Sequence, residues 1–278
     1  NTLQYFGVDS ENTTSVSRAF MKSRVGDPLS SFGDFICISR KVDIETAKLI
    51  KREICDGIAA PEFDLEALEL LKSKKQGKFI VIKMNLDYYN KYISEGWTET
   101  KEIYGVTCSQ QNNYFVNDFS DISDSNLRID CVLANSALKY TQSNNISFAL
   151  NGQIIGMGCG QQNRVGCVRL AGDKAINWLK RQTPEALEYW KSLSGKRQEK
   201  VNKLYENIDM FSLDSSELNI VMASDGFFPF PDNIELANSY KVKHIIHPGG
   251  SIADKIIEEA CDKLNIKLYI TGHRMFYH

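Results

Sequence analysis

The sequence predicts an α/β fold, because stretches typical of strands and of helices alternate along the chain. The clearest evidence is near the end, where apolar runs at 218–223, 242–246 and 266–270 are separated by two segments with helical spacing. Three strands joined by two helices in this order build a parallel sheet whose strand ends open onto one crevice. The segment 35–84 repeats the same order more weakly.

The other elements follow from local patterns. Asn151-Gly152 stands between two short apolar runs, which is a strong signal for a two-residue hairpin turn. Asp43 is a plausible N-cap for a helix that continues to Ile54. The pattern further predicts strands at 35–39 and 78–83 (the second buried), helices at 65–73 and 127–137, two helices between 173 and 208, and a loop-rich excursion at 87–125.

Composition narrows the class of protein. The chain has 278 residues, and its 33 Lys and Arg against 35 Asp and Glu give a formal charge of −2, which argues against a dedicated nucleic-acid binder. No apolar run reaches the length of a membrane span, and no leader precedes Asn1. The seven scattered cysteines favour buried thiols in a reducing compartment. We therefore expect part of a longer cytosolic protein.

Four segments are candidates for binding, and each has a simpler interpretation. The glycines of GMGCG at 156–160 do not have the dinucleotide spacing, so a tight turn is favoured over a ligand loop. At PGGS (248–251), Ser251 can cap the following helix by itself. Arg164 ends a polar cluster and could be a surface arginine. SDGFFPF (224–230) is either a core plug or a flat surface for a heterocycle, with equal weight.

Several kinds of chemistry are excluded by missing motifs. The chain has four histidines but neither a His-x-Glu nor a Cys-x-x-Cys, so zinc deaminase chemistry is excluded. It also contains no nucleophile elbow and no phosphate-binding P-loop. The residues alone therefore lead to an α/β protein with an aromatic-lined crevice and no metal centre.

Nine segments nevertheless match one family in order. They are SSFGDF (30–35), CDGIAAP (55–61), KYTQSN (139–144), NGQIIG (151–156), GQQNR (160–164), RLAGDK (169–174), SDGFFPF (224–230), PGGS (248–251) and RMFYH (274–278). In these segments the chain resembles the transformylase domain of the bifunctional purine-biosynthesis family, which joins 5-aminoimidazole-4-carboxamide ribonucleotide (AICAR) formyltransferase to inosine monophosphate cyclohydrolase.

The resemblance implies a fold and a reaction. It implies three-layer α/β/α units of the cytidine-deaminase type: an incomplete first unit at 1–125, a middle segment at 126–215 and a second unit at 216–278. It implies formyl transfer from 10-formyltetrahydrofolate to the amine of AICAR. It also implies a cytosolic homodimer with shared active sites, and a structural potassium ion near Thr141 and Ser143.

The resemblance also assigns site residues. Asn144 and His278 would be catalytic, with Asn144 near the transferring formyl group. The residues that would hold the nucleotide are Gly33, Asp56, Asn144, Phe227, Arg274 and His278. The residues that would hold the folate are Leu29, Ser30, Phe32, Arg164, Val165, Gly226, Pro229, Asp232 and Asn233. Val165 and Gly226 stand where the family has a bulkier aliphatic residue and an alanine.

One family motif is missing from the chain. The family carries its key Lys-His pair in a Lys-His-x-x-Pro-x-Gly segment upstream of SSFGDF, and nothing between Asn1 and Leu29 matches it. The pair Lys243-His244 lies in the last βαβ unit, so the catalytic role is not transferred to it. We expect an N-terminally truncated enzyme that needs upstream residues for turnover. The alternative is a nucleotide- or folate-binding module without catalysis.

Overall fold

The computed structural model describes residues 2–213 and 218–276, and the side chains of 92–95 are outside this description. Two compact units share the chain. The larger unit comprises Asn1–Tyr5, Lys22–Leu29 and Val116–His278, and the smaller one Phe6–Met21 and Ser30–Phe115. Helices α1 (Thr2–Phe6) and α2 (Ser15–Gly26) open the chain. The predicted division at 125 and 215 stays a prediction.

The smaller unit contains a parallel sheet in the order β1-β2-β3. The elements are β1 (Asp34–Cys37), α3 (Ile44–Arg52), β2 (Cys55–Ala60), α4 (Leu65–Lys72) and β3 (Ile80–Lys83). Asp43 caps α3 as predicted, since its carboxylate accepts a hydrogen bond from Thr46 N at 2.8 Å. The prediction that the strand at 78–83 is buried was wrong. Ile80 and Ile82 are 52% and 46% exposed because β3 is an edge strand.

The predicted loop-rich excursion at 87–125 was also wrong in its first half. It contains α5 (Leu86–Glu95) and an antiparallel hairpin of β4 (Thr98–Ile103) and β5 (Val106–Gln111). Nearly every residue of the hairpin is exposed, so it lacks the alternation of apolar and polar residues that marks a half-buried strand.

The larger unit is built on a five-stranded sheet in the order β10-β9-β8-β6-β7. The strands are β6 (Asn145–Ala149), β7 (Ile154–Cys159), β8 (Ile220–Ser224), β9 (Val242–His247) and β10 (Lys267–Ile270). The last three are parallel, as predicted. The hairpin of β6 and β7 is also confirmed, with positive φ at Asn151 and Gly152, and β6 runs antiparallel to both neighbours.

Helices cover both faces of this sheet. On one face, Cys131 and Ala134 of α6 (Ser125–Ala137) pack against Val221 and Ile246 of the strands. The other face carries α7 (Arg164–Arg181), α10 (Asp232–Ser239) and α11 (Asp254–Lys263) over a second core that includes Phe148. The α/β class and the α/β/α layering are therefore confirmed. A separate cluster surrounds α8 (Pro184–Ser192) and α9 (Arg197–Glu206).

Helix α7 begins earlier than the sequence predicted. We expected two helices between 173 and 208, but α7 starts at Arg164 and two more helices follow it. Asn163 caps α7 by accepting a hydrogen bond from Gly166 N at 2.7 Å. Gly166 and Gly172 weaken the helical propensity of this segment, which explains why periodicity placed the start too late.

The glycines of 156–160 serve packing between α7 and β7. A Cβ on Gly156 would lie 2.1 Å from Ala171 O, and one on Gly158 would lie 2.1 Å from Cys167 O. Both sites need glycine because the helix backbone approaches the strand this closely. The preferred interpretation of the whole run as a tight turn was therefore wrong for these two residues.

Candidate functional site

The carboxyl ends of β8 and β9 and the start of β6 form one edge of the larger unit. Because β6 is antiparallel to β8, its first residue lies beside the end of β8. Asn145 N donates to Asp225 Oδ2 at 3.2 Å, and Asp225 N donates to Asn145 O at 3.4 Å. This edge therefore places Asn144, which precedes β6, next to the residues that follow β8.

The side chain of Arg164 is hydrogen-bonded to residues of this edge. Its Nε donates to Ser224 Oγ at 3.0 Å, and its Nη2 donates to Asp225 Oδ1 at 2.7 Å. The Arg164 side chain is 13% exposed and that of Asp225 is fully buried. The interpretation as a surface arginine was therefore wrong. Within the described residues Nη1 makes no hydrogen bond, so two charged N–H donors remain for a ligand.

Gly226 allows the guanidinium to reach this position. A Cβ on Gly226 would lie 2.5 Å from Arg164 Nη2 and 2.9 Å from a ring carbon of Phe276. An alanine here would displace the end of the arginine side chain. Glycine at 226, where the resemblance leads us to expect alanine, therefore leaves room for the Arg164 guanidinium.

Asn144 is held at two points. Its side-chain Nδ2 donates to Gln161 O at 3.1 Å, and its backbone O accepts the Cys167 thiol at 3.1 Å. Burial raises the pKa of the Cys167 thiol to about 11, so the group stays protonated and donates. The second N–H of the Asn144 amide remains available for a ligand.

The segment after β10 runs past the same edge. Met275 N donates to Asp225 O at 3.0 Å. The guanidinium of Arg274 lies 5.5 Å from the ring centroids of Phe227 and of Phe276. Arg274 is an exposed residue. The predicted catalytic residue His278 lies outside the described residues.

SDGFFPF combines both interpretations that the sequence left open. Phe228 is fully buried and belongs to the core. Phe227 is half-buried, and Phe230 is 65% exposed. Phe228 therefore anchors the segment in the core, while Phe227 and Phe230 keep exposed surface.

Four of the remaining predicted folate residues lie on the segments that carry this edge, namely Val165, Pro229, Asp232 and Asn233. Val165 lies in the first turn of α7, and Pro229 is exposed in the loop after β8. Asp232 begins α10, and its Oδ1 accepts both the N and the Nδ2 of Asn233 at 2.8 Å. Leu29, 43% exposed, ends an earlier segment of the same unit.

The predicted residues of the smaller unit form their own group. Ser30, Phe32 and Gly33 precede β1, where Phe32 is 49% exposed and Gly33 has φ +79°. Asp56, in β2, forms an exposed ion pair with Lys75 at 2.7 Å. Gly33 and Asp56 lie at the amino ends of adjacent strands, since Asp34 pairs with Cys55.

Sequence reasoning gave no role to Ser224, Asp225 or His247. Each of them follows or ends a buried strand, and site residues of parallel sheets are commonly found at the carboxyl ends of strands. This position could have identified them as candidates. In residues 2–213 and 218–276, no group of three His, Cys, Asp or Glu side chains is arranged to hold a metal ion. The described part of the chain also has no helix long and apolar enough to cross a membrane.

Comparison with known proteins gives one family. Residues 7–174 match the family model described as AICARFT/IMPCHase bienzyme. The chain is 32% identical over 271 residues to the bifunctional purine biosynthesis protein PurH of Petrotoga mobilis, covering 95% of this chain and 44% of that protein. A PurH of Prochlorococcus marinus strain MIT 9312 is 32% identical over 277 residues, with 96% and 44% covered. The chain thus spans less than half the length of these relatives.

Proposed function

The chain belongs to the AICARFT/IMPCHase bienzyme family, and we propose that it acts in purine biosynthesis by transferring a formyl group. The donor is 10-formyltetrahydrofolate and the acceptor is the amine of AICAR. The products are formyl-AICAR and tetrahydrofolate. The observation that carries the proposal is the group of Asn144, Arg164 and Asp225 at one sheet edge.

The reaction needs a hydrogen-bond donor at the formyl oxygen. The acceptor amine is conjugated to a carboxamide and is a weak nucleophile, and its attack turns the formyl oxygen into a tetrahedral oxyanion. A fixed donor aimed at that oxygen lowers the barrier. The free N–H of Asn144 supplies it, because Gln161 and Cys167 already fix the residue.

The amine must also lose a proton. The family resemblance gives that step to a Lys-His pair on a segment that residues 1–278 do not contain, with His278 close to the nucleotide. We assign no proton transfer to Lys243 or His244. His244 lies within β9, and its Nδ1 is 3.3 Å from the Tyr269 hydroxyl.

On the folate side, Arg164 supplies a fixed positive charge. Asp225 neutralises part of that charge and orients the guanidinium, so that Nη1 presents two donors to a carboxylate or formyl oxygen. Val165, Pro229 and Phe230 offer apolar surface to the pterin. Asp232 and Asn233 supply polar groups beside it.

On the nucleotide side, Arg274 is the phosphate partner. Its guanidinium lies 5.5 Å from the ring centroids of Phe227 and Phe276, and a guanidinium can bind a phosphate through two parallel N–H donors. Gly33 and Asp56 keep their predicted nucleotide roles from the resemblance alone. The homodimer with shared sites and the cytosolic location are likewise parts of the proposal.

The residues near Thr141 fit a structural potassium ion. Asn145 Nδ2 donates to Leu138 O and to both Thr141 oxygens at 2.6–3.0 Å, which fixes the orientation of the amide. Its Oδ1 is then buried without a hydrogen-bond partner among the described residues. A buried oxygen of this kind suits a cation. Asn145 Oδ1 would be one ligand of such an ion, in the neighbourhood of Thr141 and Ser143 that the resemblance implies.

The test is Asn144→Ala in a version of the protein that also carries a Lys-His-x-x-Pro-x-Gly segment. Loss of one oxyanion donor should lower kcat by about 10²–10³-fold. Calorimetry should show AICAR affinity changed far less than kcat. Asn202→Ala, at an exposed position of α9, is the control and should leave both unchanged. Unchanged turnover in Asn144→Ala would remove this residue from its role.

A further inference from the structure

The hairpin of β4 and β5 is separate from the parallel sheet of the smaller unit. Among the described residues its two strands pair only with each other. All strand residues except Glu99 are exposed, and Ile103 and Val106 beside the turn are 50% and 62% exposed. A two-stranded hairpin without further contacts is marginally stable at best in water. The hairpin therefore indicates a partner beyond the described part of the chain.

The register of the hairpin shows which backbone groups of β4 point away from β5. Asn112 N donates to Trp97 O at 3.0 Å, so residues 97 and 112 form a hydrogen-bonded pair. Such pairs alternate with non-hydrogen-bonded pairs in an antiparallel ladder, so Glu99 and Lys101 also bond to β5. The residues whose N–H and C=O groups point outward are Thr98, Thr100 and Glu102. This row of outward groups makes β4 an open edge for a further strand.

The charges of β4 fit a second copy of the same strand. Antiparallel pairing must place the outward residues of the two strands opposite each other, which leaves few registers. If Thr100 lies opposite Thr100 of the copy, Glu99 lies opposite Lys101 of the copy, and two-fold symmetry repeats this pair. The two neighbouring registers place Glu99 opposite Glu99, or Lys101 opposite Lys101. Opposite charges that face each other stabilise a sheet and like charges destabilise it, so charge selects the first register.

The outer edge of β5 does not select a register in this way. Its residues Val106–Gln111 carry no charge. Lysine on an edge strand commonly discourages pairing with other chains. In β4, however, Lys101 stands two residues after Glu99, so the charges that exclude the neighbouring registers also stabilise one register. Self-pairing therefore belongs to β4 and not to β5.

We propose that β4 pairs antiparallel with β4 of a second copy of this chain, so that two hairpins form a four-stranded sheet centred on Thr100. The backbone groups of the outward residues supply the hydrogen bonds, and two Glu99–Lys101 pairs lie on one face of the sheet. None of the predicted substrate-binding residues lies in 98–111. The contact therefore goes beyond the proposed function, and it uses an edge to which the resemblance assigns no role.

The test is a charge exchange followed by sedimentation equilibrium. Glu99→Lys and Lys101→Glu each place like charges opposite each other twice, and each should weaken self-association about tenfold. The double variant restores opposite charges and should return to the wild-type association constant. It also lacks the bond from Asn112 Nδ2 to Glu99 Oε1 at 2.7 Å, so its recovery excludes loss of that bond as the cause. Lys255→Glu, at an exposed position of α11, is the control for net charge.

A second readout uses the wild-type chain alone. Raising the salt concentration should weaken its self-association, because exposed charge pairs are screened. A wild-type chain that stays monomeric at every concentration would overturn the inference. So would single variants that associate as strongly as wild type, or a double variant that is no better than either single one. Substrate binding is measured separately on the same chain, so failure of formyl transfer would leave this contact standing, and the reverse also holds.

Discussion

At the residue scale, the ion pair of Arg164 and Asp225 is central to the proposed site. The carboxylate is fully buried and the guanidinium nearly so, and the pair is 2.7 Å apart. Removing one partner of a buried pair leaves an uncompensated charge, whereas exposed pairs contribute little. The arrangement therefore makes both stability and ligand binding depend on Asp225.

Asp225→Ala should lower the free energy of unfolding by about 3–5 kcal/mol, because Arg164 loses its buried partner. Urea unfolding measures this loss. The matched control is Asp209→Ala, which breaks the Lys180 pair at 2.7 Å with a 93% exposed carboxylate. It should cost less than about 1 kcal/mol. Equal losses in the two variants would contradict the buried pair.

Cys167 should matter for turnover as well as for stability, since its thiol holds the backbone of Asn144. Cys167→Ala should lower kcat more than Cys261→Ala does, although both thiols are fully buried in the same core. Cys167→Ser keeps a donor and should recover part of the rate. Turnover and thermal unfolding, measured on all three variants, separate the two effects. Equal kcat in the two alanine variants would argue against this contact.

At the element scale, the packing of α7 on β7 fixes the positions of Arg164 and of Cys167, whose thiol donates to Asn144 O. Gly158→Ala would place a methyl group 2.1 Å from Cys167 O, so the helix would have to move. We expect a loss of about 3 kcal/mol in the free energy of unfolding. Gly166→Ala, on the same helix with its nearest atom a side-chain oxygen at 3.2 Å, is the control and should cost less than about 1 kcal/mol. The opposite ranking would contradict the packing.

The elements that the sequence predicted well share one property. The strand at 220–224 is buried at every residue, so its apolar run is continuous and easy to recognise, and the strand at 242–247 is buried at Val242 and again at 245–247. The hairpin of β4 and β5 is exposed and carries no such pattern. The family motifs implied that Arg164 contacts the folate. They did not indicate that Ser224 and Asp225 bind its guanidinium, because these residues are about 60 positions away and come together only in the fold.

At the scale of the whole molecule, the burial of His247 makes stability depend on pH. Burial lowers its pKa below the ordinary 6.5, so the unfolded chain takes up a proton more readily than the folded one. The free energy of unfolding therefore keeps its full value above pH 6.5, and it decreases as the pH falls through 6.5 towards the pKa of the folded chain. Unfolding at pH 5.5 and 7.5 should show this slope, and His247→Gln should reduce it. A slope that the variant leaves unchanged would exclude His247 as its source.

The account depends most directly on whether this chain binds the two substrates of formyl transfer. Calorimetric titration with AICAR and then with tetrahydrofolate, the product that remains of the formyl donor, tests this in one experiment. We predict saturable binding of both ligands, with AICAR binding weakened in Arg274→Ala and tetrahydrofolate binding weakened in Arg164→Ala. A folded chain that binds neither ligand, or arginine variants that bind both as tightly as wild type, would contradict the proposed site.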